Sequence, residues 1–113
     1  MKTSGKRGLH VLVPLAAGQS HDDALGFAQQ IAEALARALP DVTVERAKSR
    51  REGRLYLDCL QNGWGKTIVA PYSLRALDGA PASAPLRWSE VGRRLDPRRF
   101  NLRTMKARLA RVG

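Results

Sequence analysis

The sequence predicts an α+β domain. One amphipathic segment, residues 20–39, repeats its apolar residues at helical spacing. Four short runs rich in Val, Leu and Ile have the length and composition of strands. These elements interleave along 113 residues with no internal repeat and no heptads, enough chain for one small domain with a modest core.

Residues 2–8 form a loop rich in glycine and cations, and residues 8–15 read as the first strand. In that strand Leu9, Val11, Val13 and Leu15 share one face, His10, Leu12 and Pro14 the other. Pro14 marks its end or an edge. Ser20 is placed as a helix N-cap, with Asp22 and Asp23 in the first turn, where the helix dipole favours negative charge. Leu25, Ala28, Ile31, Ala32, Leu35 and Leu39 follow on one face, a core-packing stripe, and Pro40 ends the helix.

Val42–Glu45 is a short strand. Residues 46–54 carry Arg46, Lys48, Arg50, Arg51 and Arg54 and read as an exposed basic turn, either solvated or in contact with phosphates. Residues 54–61 form a third strand, with Asp58 in its middle. The turn Gly63–Lys66 leads into a fourth run, Thr67–Ala70, and the two are expected to pair as a hairpin. Residues 76–86 are a connection rich in Pro, Ala and Gly. Ser89 is expected to cap a short helix, and Asp96 to Phe100 to form a turn or a single helical turn with Pro97 at its first position. Leu102, Met105, Leu109 and Val112 predict a final basic helix, stopped by Gly113.

Charge narrows the function classes. Lys+Arg number 20 against 10 Asp+Glu, a net charge of +10. Five of the cations are Lys and the other fifteen Arg, whose planar guanidinium suits bidentate contact with phosphate. In a chain that is 43% hydrophobic this balance favours a polyanionic partner, usually nucleic acid. The alternatives are a solubilising surface or an acidic counterpart elsewhere in a larger protein. The lone Cys59 excludes a disulfide framework within one chain, fits a reducing cytoplasm, and reads as buried and inert. No apolar run approaches the roughly 18 residues of a membrane span, and the basic N-terminus is not a signal peptide.

Two features point toward chemistry. A carboxylate such as Asp58 inside a buried strand is costly, so it either faces an open side or binds a cation. In Ser4-Gly5-Lys6-Arg7-Gly8-Leu9-His10, a hydroxyl, backbone amides and two cations precede a strand, and such a turn lets N–H groups approach phosphate oxygens. It is not a P-loop, which leads into a helix. On spacing and composition alone the reading stops at a basic α+β domain capable of nucleotide contacts.

The ordered string goes further: Ser4 to His10, then Tyr56-Leu57-Asp58-Cys59-Leu60-Gln61-Asn62, Gly65-Lys66-Thr67, Ala70-Pro71-Tyr72-Ser73-Leu74-Arg75, Pro85-Leu86-Arg87-Trp88 and Asp96-Pro97-Arg98-Arg99-Phe100. It resembles the polymerase domain of bacterial ligase D, the ATP-dependent DNA ligase of non-homologous end joining, within the archaeo-eukaryotic primase superfamily. The resemblance covers nearly the whole chain. It implies a primase-like fold with an RRM-like antiparallel sheet and packed helices, and template-directed nucleotidyl transfer with a preference for ribonucleotides at broken DNA ends. It implies that Ser4, Arg7, Gly8 and His10 hold the incoming triphosphate, that Gln61 and Arg75 line the nucleotide site, and that Asp58 is the catalytic, metal-binding third carboxylate for manganese or magnesium. Lys48, Arg50, Arg51 and Lys66 are the expected DNA contacts.

Implied partners are DNA ends, nucleoside triphosphates, Ku and the remainder of ligase D, in a bacterial cytoplasm at the nucleoid, with no membrane. The family's Asp-x-Asp motif lies before the serine–histidine motif, and here Ser4 comes three residues after Met1. Residues 1–113 are therefore expected to be the C-terminal part of such a domain, lacking two of three metal carboxylates and inactive alone. Self-association through uncovered apolar surface is a further expectation. Gly63-Trp64 stands where the family has polar or basic residues, which bears on the DNA contact of that loop. Two other readings stand beside this one: a non-catalytic nucleic-acid-binding module, and a subunit completed by a separately encoded N-terminal half.

Overall fold

A computed structural model of the protein describes residues 1–112. It comprises two compact units, Pro14–Ile68 and a second made of Met1–Val13 with Val69–Gly113. The expected helix stop at Gly113 lies outside the described residues.

In the unit Pro14–Ile68, helix α1 spans His21–Ala38. Its start is built as a capping box: Ser20 Oγ accepts from the Asp23 N–H at 3.1 Å, and Asp23 Oδ2 accepts from the Ser20 N–H at 2.9 Å. At its other end the Leu39 N–H reaches Leu35 O at 2.8 Å before Pro40. Ala32 is buried on the apolar stripe, whereas Phe27, Ile31 and Leu35 keep substantial exposure. This helix packs against strand β3 (Val42–Thr43) and a 3-10 turn at Leu60–Asn62.

Strand β4 (Leu55–Tyr56) pairs with β3 in parallel, Val42 opposite Leu55 and Thr43 opposite Tyr56. The hairpin expected between residues 54–61 and 67–70 is therefore not formed. Past Leu57 the chain leaves the strand: Asp58 Oδ1 accepts from the Leu60 N–H at 3.1 Å, a local bond that competes with a ladder. Residues 67–70 carry no strand pairing.

In the other unit, strands β1 (Lys2–Thr3) and β2 (Leu9–His10) form an antiparallel pair, Lys2 opposite His10 and Thr3 opposite Leu9. The expected strand 8–15 is thus paired over two residues only. Val11, Leu12 and Val13 continue without a partner strand and are more than half exposed.

The core of this unit lies where the sequence reads as a plain connection. Ala82, Ser83 and Ala84 are fully buried, with Met105 and Phe100 packed on the alanines. The segment is flanked on both edges: Thr3 N–H bonds Ala84 O at 2.9 Å and Ala82 N–H bonds Phe100 O on one, while Ser83 N–H bonds Ser73 O on the other. Small side chains let these backbones close up, and Pro81 and Pro85 have no N–H to leave unpaired. Helix α2 spans Leu102–Val112 and turns Met105 and Arg108 inward. Asn101 Oδ1 accepts from the N–H groups of Arg103 and Thr104 at its start.

The short helix expected at Ser89 is a 3-10 turn, Trp88–Glu90. Its cap is not the serine: Glu90 Oε2 accepts from the Arg87 N–H at 2.8 Å. The next turn has Pro97 at its first position as expected, and Asp96 caps it, accepting from the Arg98 N–H at 3.0 Å. The α+β class holds, in two helices and two small sheets, one antiparallel and one parallel.

Candidate functional site

The candidate residues divide between the units. Ser4, Arg7, Gly8, His10 and Arg75 belong to the unit containing the β1–β2 pair. Asp58, Gln61, Lys48, Arg50, Arg51 and Lys66 belong to the unit containing α1.

The β1–β2 connection is a tight loop. Ser4 N–H bonds Gly8 O at 2.8 Å, and Ser4 Oγ accepts from the N–H groups of Lys6 and Gly8 at 3.2 and 3.0 Å. With its oxygen receiving two donors, the Ser4 hydroxyl has a proton to give. Gly5 makes the loop possible: its φ is +71°, and a Cβ there would lie 2.7 Å from Arg75 Cγ and 3.3 Å from the Ala82 backbone. That close approach seats the aliphatic stem of Arg75 on the loop. Arg7 and Arg75 are exposed, so two guanidinium groups and one hydroxyl donor sit on and beside one turn.

Beneath it lies a buried polar network centred on Lys2, a residue that the sequence places in a solvated loop. Lys2 is 2% exposed. Its Nζ lies 2.8 Å from His10 Nδ1 and 2.7 Å from Ser83 Oγ. Ser83 Oγ donates its own proton to Thr3 O at 2.8 Å, so it accepts from Lys2. An ammonium only donates, which makes His10 Nδ1 an acceptor and places the ring proton on Nε2. Burial, and then the positive charge of Arg75, lower the Lys2 pKa from its usual value. Thr3 completes the network: Oγ1 donates to Ala82 O and accepts from the Ala84 N–H. No local pattern marks Lys2 and Ser83 as partners, because they stand 81 residues apart.

In the other unit Asp58 and Gln61 are exposed around the 3-10 turn. Asp58 thus takes the open-side resolution of its placement. Its negative charge, after burial, contributes to raising the Tyr56 pKa. Arg51 is engaged within the basic turn: Nε donates to Glu45 O, Nη2 to Arg46 O, and the guanidinium lies 3.9 Å from the Tyr56 ring centroid. Arg54 likewise donates to Arg51 O. Lys48, Arg50 and Lys66 project from exposed positions.

Two-cation phosphoryl-transfer centres are held by several carboxylates. Among the described residues no three His, Cys, Asp or Glu side chains are grouped to hold a metal. Asp58, with Oδ1 already accepting from Leu60, does not by itself make the cation site that the resemblance implies.

The family described as "LigD, primase-polymerase domain" matches residues 1–113. The chain is 43% identical over 102 residues to the multifunctional non-homologous end joining protein LigD of Mycolicibacterium smegmatis, covering 89% of this chain and 13% of that protein. It is 38% identical over 114 residues to the bifunctional non-homologous end joining protein LigD of Bacillus subtilis, covering 99% of this chain and 19% of that protein. Among solved structures, the polymerase domain of Mycobacterium tuberculosis ligase D in complex with DNA superposes with a TM-score of 0.90 at 36% identity, covering 99% of this chain and 39% of that one.

Proposed function

This chain belongs to the LigD primase-polymerase family, and from that premise we propose that residues 1–113 are the C-terminal part of a DNA-repair polymerase domain acting in non-homologous end joining. In this reading the β1–β2 loop and Arg75 hold the phosphates of a nucleoside triphosphate. The observation that carries it is the seating of the Arg75 stem on Gly5, which joins the Ser4 hydroxyl, Arg7 and Arg75 on one small surface above His10. Guanidinium groups give charge-assisted, bidentate contacts to phosphate oxygens.

Asp58 would supply one carboxylate to a divalent cation, manganese or magnesium, which would stabilise charge on the phosphates. Gln61, one turn further on, contacts the nucleotide. Lys48, Arg50, Arg51 and Lys66 contact DNA, with DNA ends, Ku and the remainder of ligase D as partners at the bacterial nucleoid. Among the described residues no helix is long and apolar enough to cross a membrane. Self-association through exposed apolar surface belongs to the same reading, and Val11, Leu12 and Val13 are such surface.

Nucleotide binding tests this reading. The chain titrated with a fluorescent ribonucleoside triphosphate should bind, and Ser4→Ala, His10→Ala and Arg75→Ala should each weaken binding by about tenfold. Affinity equal to that of the parent chain in all three variants sinks it. A second reading, a non-catalytic nucleic-acid-binding module, draws on the exposed Lys48 and Arg50 and the net charge of +10. It holds if oligonucleotides bind while nucleotides do not, and if Arg50→Glu weakens oligonucleotide binding.

A further inference from the structure

A groove of about 770 Å³ opens between the segment 89–101 and helix α2, in the same unit as the β1–β2 loop. Arg93, Arg94, Arg99 and Arg111 line it, and all four are exposed. At its floor Arg108 is buried and locked to Glu90, Nη1 to Oε1 at 2.6 Å and Nη2 to Oε2 at 2.8 Å. Both oxygens of the groove's Glu90 are therefore taken. The other carboxylate on the wall, Asp96, accepts from Arg98 at 3.1 Å. No described carboxylate pairs with Arg93, Arg94, Arg99 or Arg111.

Among the described residues these four cations thus line one groove without an ion pair, and the carboxylate of Asp96 is bonded to Arg98 and acts on Arg99 only through its charge. Self-repulsion of this kind is relieved by a ligand that brings several negative charges along a line. All four are Arg, the side chain whose fork matches phosphate oxygens. We propose that this groove binds the phosphodiester backbone of nucleic acid, as a site separate from the nucleotide-holding loop and from the basic turn 46–54. The cations are distributed along an open cleft rather than gathered in a closed pocket, which favours a strand over a single free anion. Contacts of this type position a strand without reading its sequence.

Fluorescence anisotropy of a labelled oligonucleotide across a salt series tests the proposal. Arg93→Gln/Arg94→Gln/Arg99→Gln should raise Kd by about tenfold or more and make the log–log salt slope shallower by roughly two to three. The comparison is Arg103→Gln/Lys106→Gln, which removes cations from α2 outside the groove. Its slope should change by less than one contact. Unfolding midpoints within those of the parent chain establish that the variants fold. Equal losses in the two variants overturn the proposal, as does a parent chain that fails to bind at low salt. Displacement by free triphosphate at the same phosphate concentration as by oligonucleotide also overturns it, since the groove would then be a simple anion site. The groove variant should keep nucleotide affinity, so the failure of this site and that of the nucleotide-holding loop are read separately.

Discussion

Lys2 Nζ lies 2.8 Å from His10 Nδ1, across the first register pair of the β1–β2 sheet. One buried cation thereby sets the protonation pattern of the imidazole on which the proposed phosphate contact depends. The backbone pairing that brings the two side chains together is the same pairing that closes the Ser4–Gly8 loop, so the loop and the tautomer form as one feature.

The tautomer is directly observable. In a His21→Gln background, imidazole nitrogen shifts at neutral pH should show His10 protonated on Nε2. Lys2→Met should abolish that bias and lower stability by about 1–3 kcal/mol, because His10 Nδ1 and Ser83 lose a buried partner. A His10 ring protonated on Nδ1 in the parent chain would contradict donation from the Lys2 ammonium to that nitrogen.

Gly5→Ala should be among the costly substitutions in the loop. It forces a positive φ on alanine and drives a Cβ to 2.7 Å from Arg75 Cγ and 3.3 Å from the neighbouring backbone. About 1–3 kcal/mol of stability should be lost in chemical denaturation, with weaker triphosphate binding as Arg75 is displaced. Gly8→Ala is the control, since its Cβ would meet only Ser4 Oγ, at 3.8 Å. A loss as large at Gly8 as at Gly5 would refute the packing argument.

Glu90 and Arg108 should make the fold acid-sensitive. Hydrogen bonds from Arg108, then from the Arg87 backbone, pull the Glu90 carboxyl down to about 2 from 4.5. Because the folded value is depressed, its contribution is complete above the unfolded pKa and is lost as pH falls through roughly 4.5 toward 2, on the order of 2 kcal/mol in all. Glu90→Ala should cost about 3 kcal/mol, as Arg108 is left buried without a counter-charge, and should remove that part of the acid transition. An unchanged pH profile in the variant would exclude the pair as its source.

Asp58→Ala should leave the fold nearly intact. The carboxylate is exposed and makes one local bond, to the Leu60 N–H, so the loss should stay below about 1 kcal/mol. Any effect on polymerisation by a complete domain would then be chemical rather than structural. Unfolding of the variant at ambient temperature would show that Asp58 is part of the scaffold instead.

Much is legible in the sequence wherever the determining contacts are local. The cap of α1 is written in Ser20 and Asp23, three residues apart, and its end in Pro40. The ordered motifs from Ser4 to Phe100 carry the family, and fifteen arginines carry the preference for anions.

Tertiary structure alone decided which segments meet. Residues 54–61 and 67–70 have hairpin spacing, yet β4 pairs in parallel with β3, because Asp58 and the turn at Leu60–Asn62 draw the chain out of the ladder first. Residues 82–84 look like linker by composition, yet their small size lets β1 and residue 100 on one edge and residue 73 on the other close onto them as core. Lys2 looks like one more surface cation among twenty. Only the approach of Ser83, 81 residues away, removes it from water and gives its charge something to do. Periodicity and capping are properties of neighbours in sequence; burial and pairing depend on partners far along the chain, and no local pattern names them.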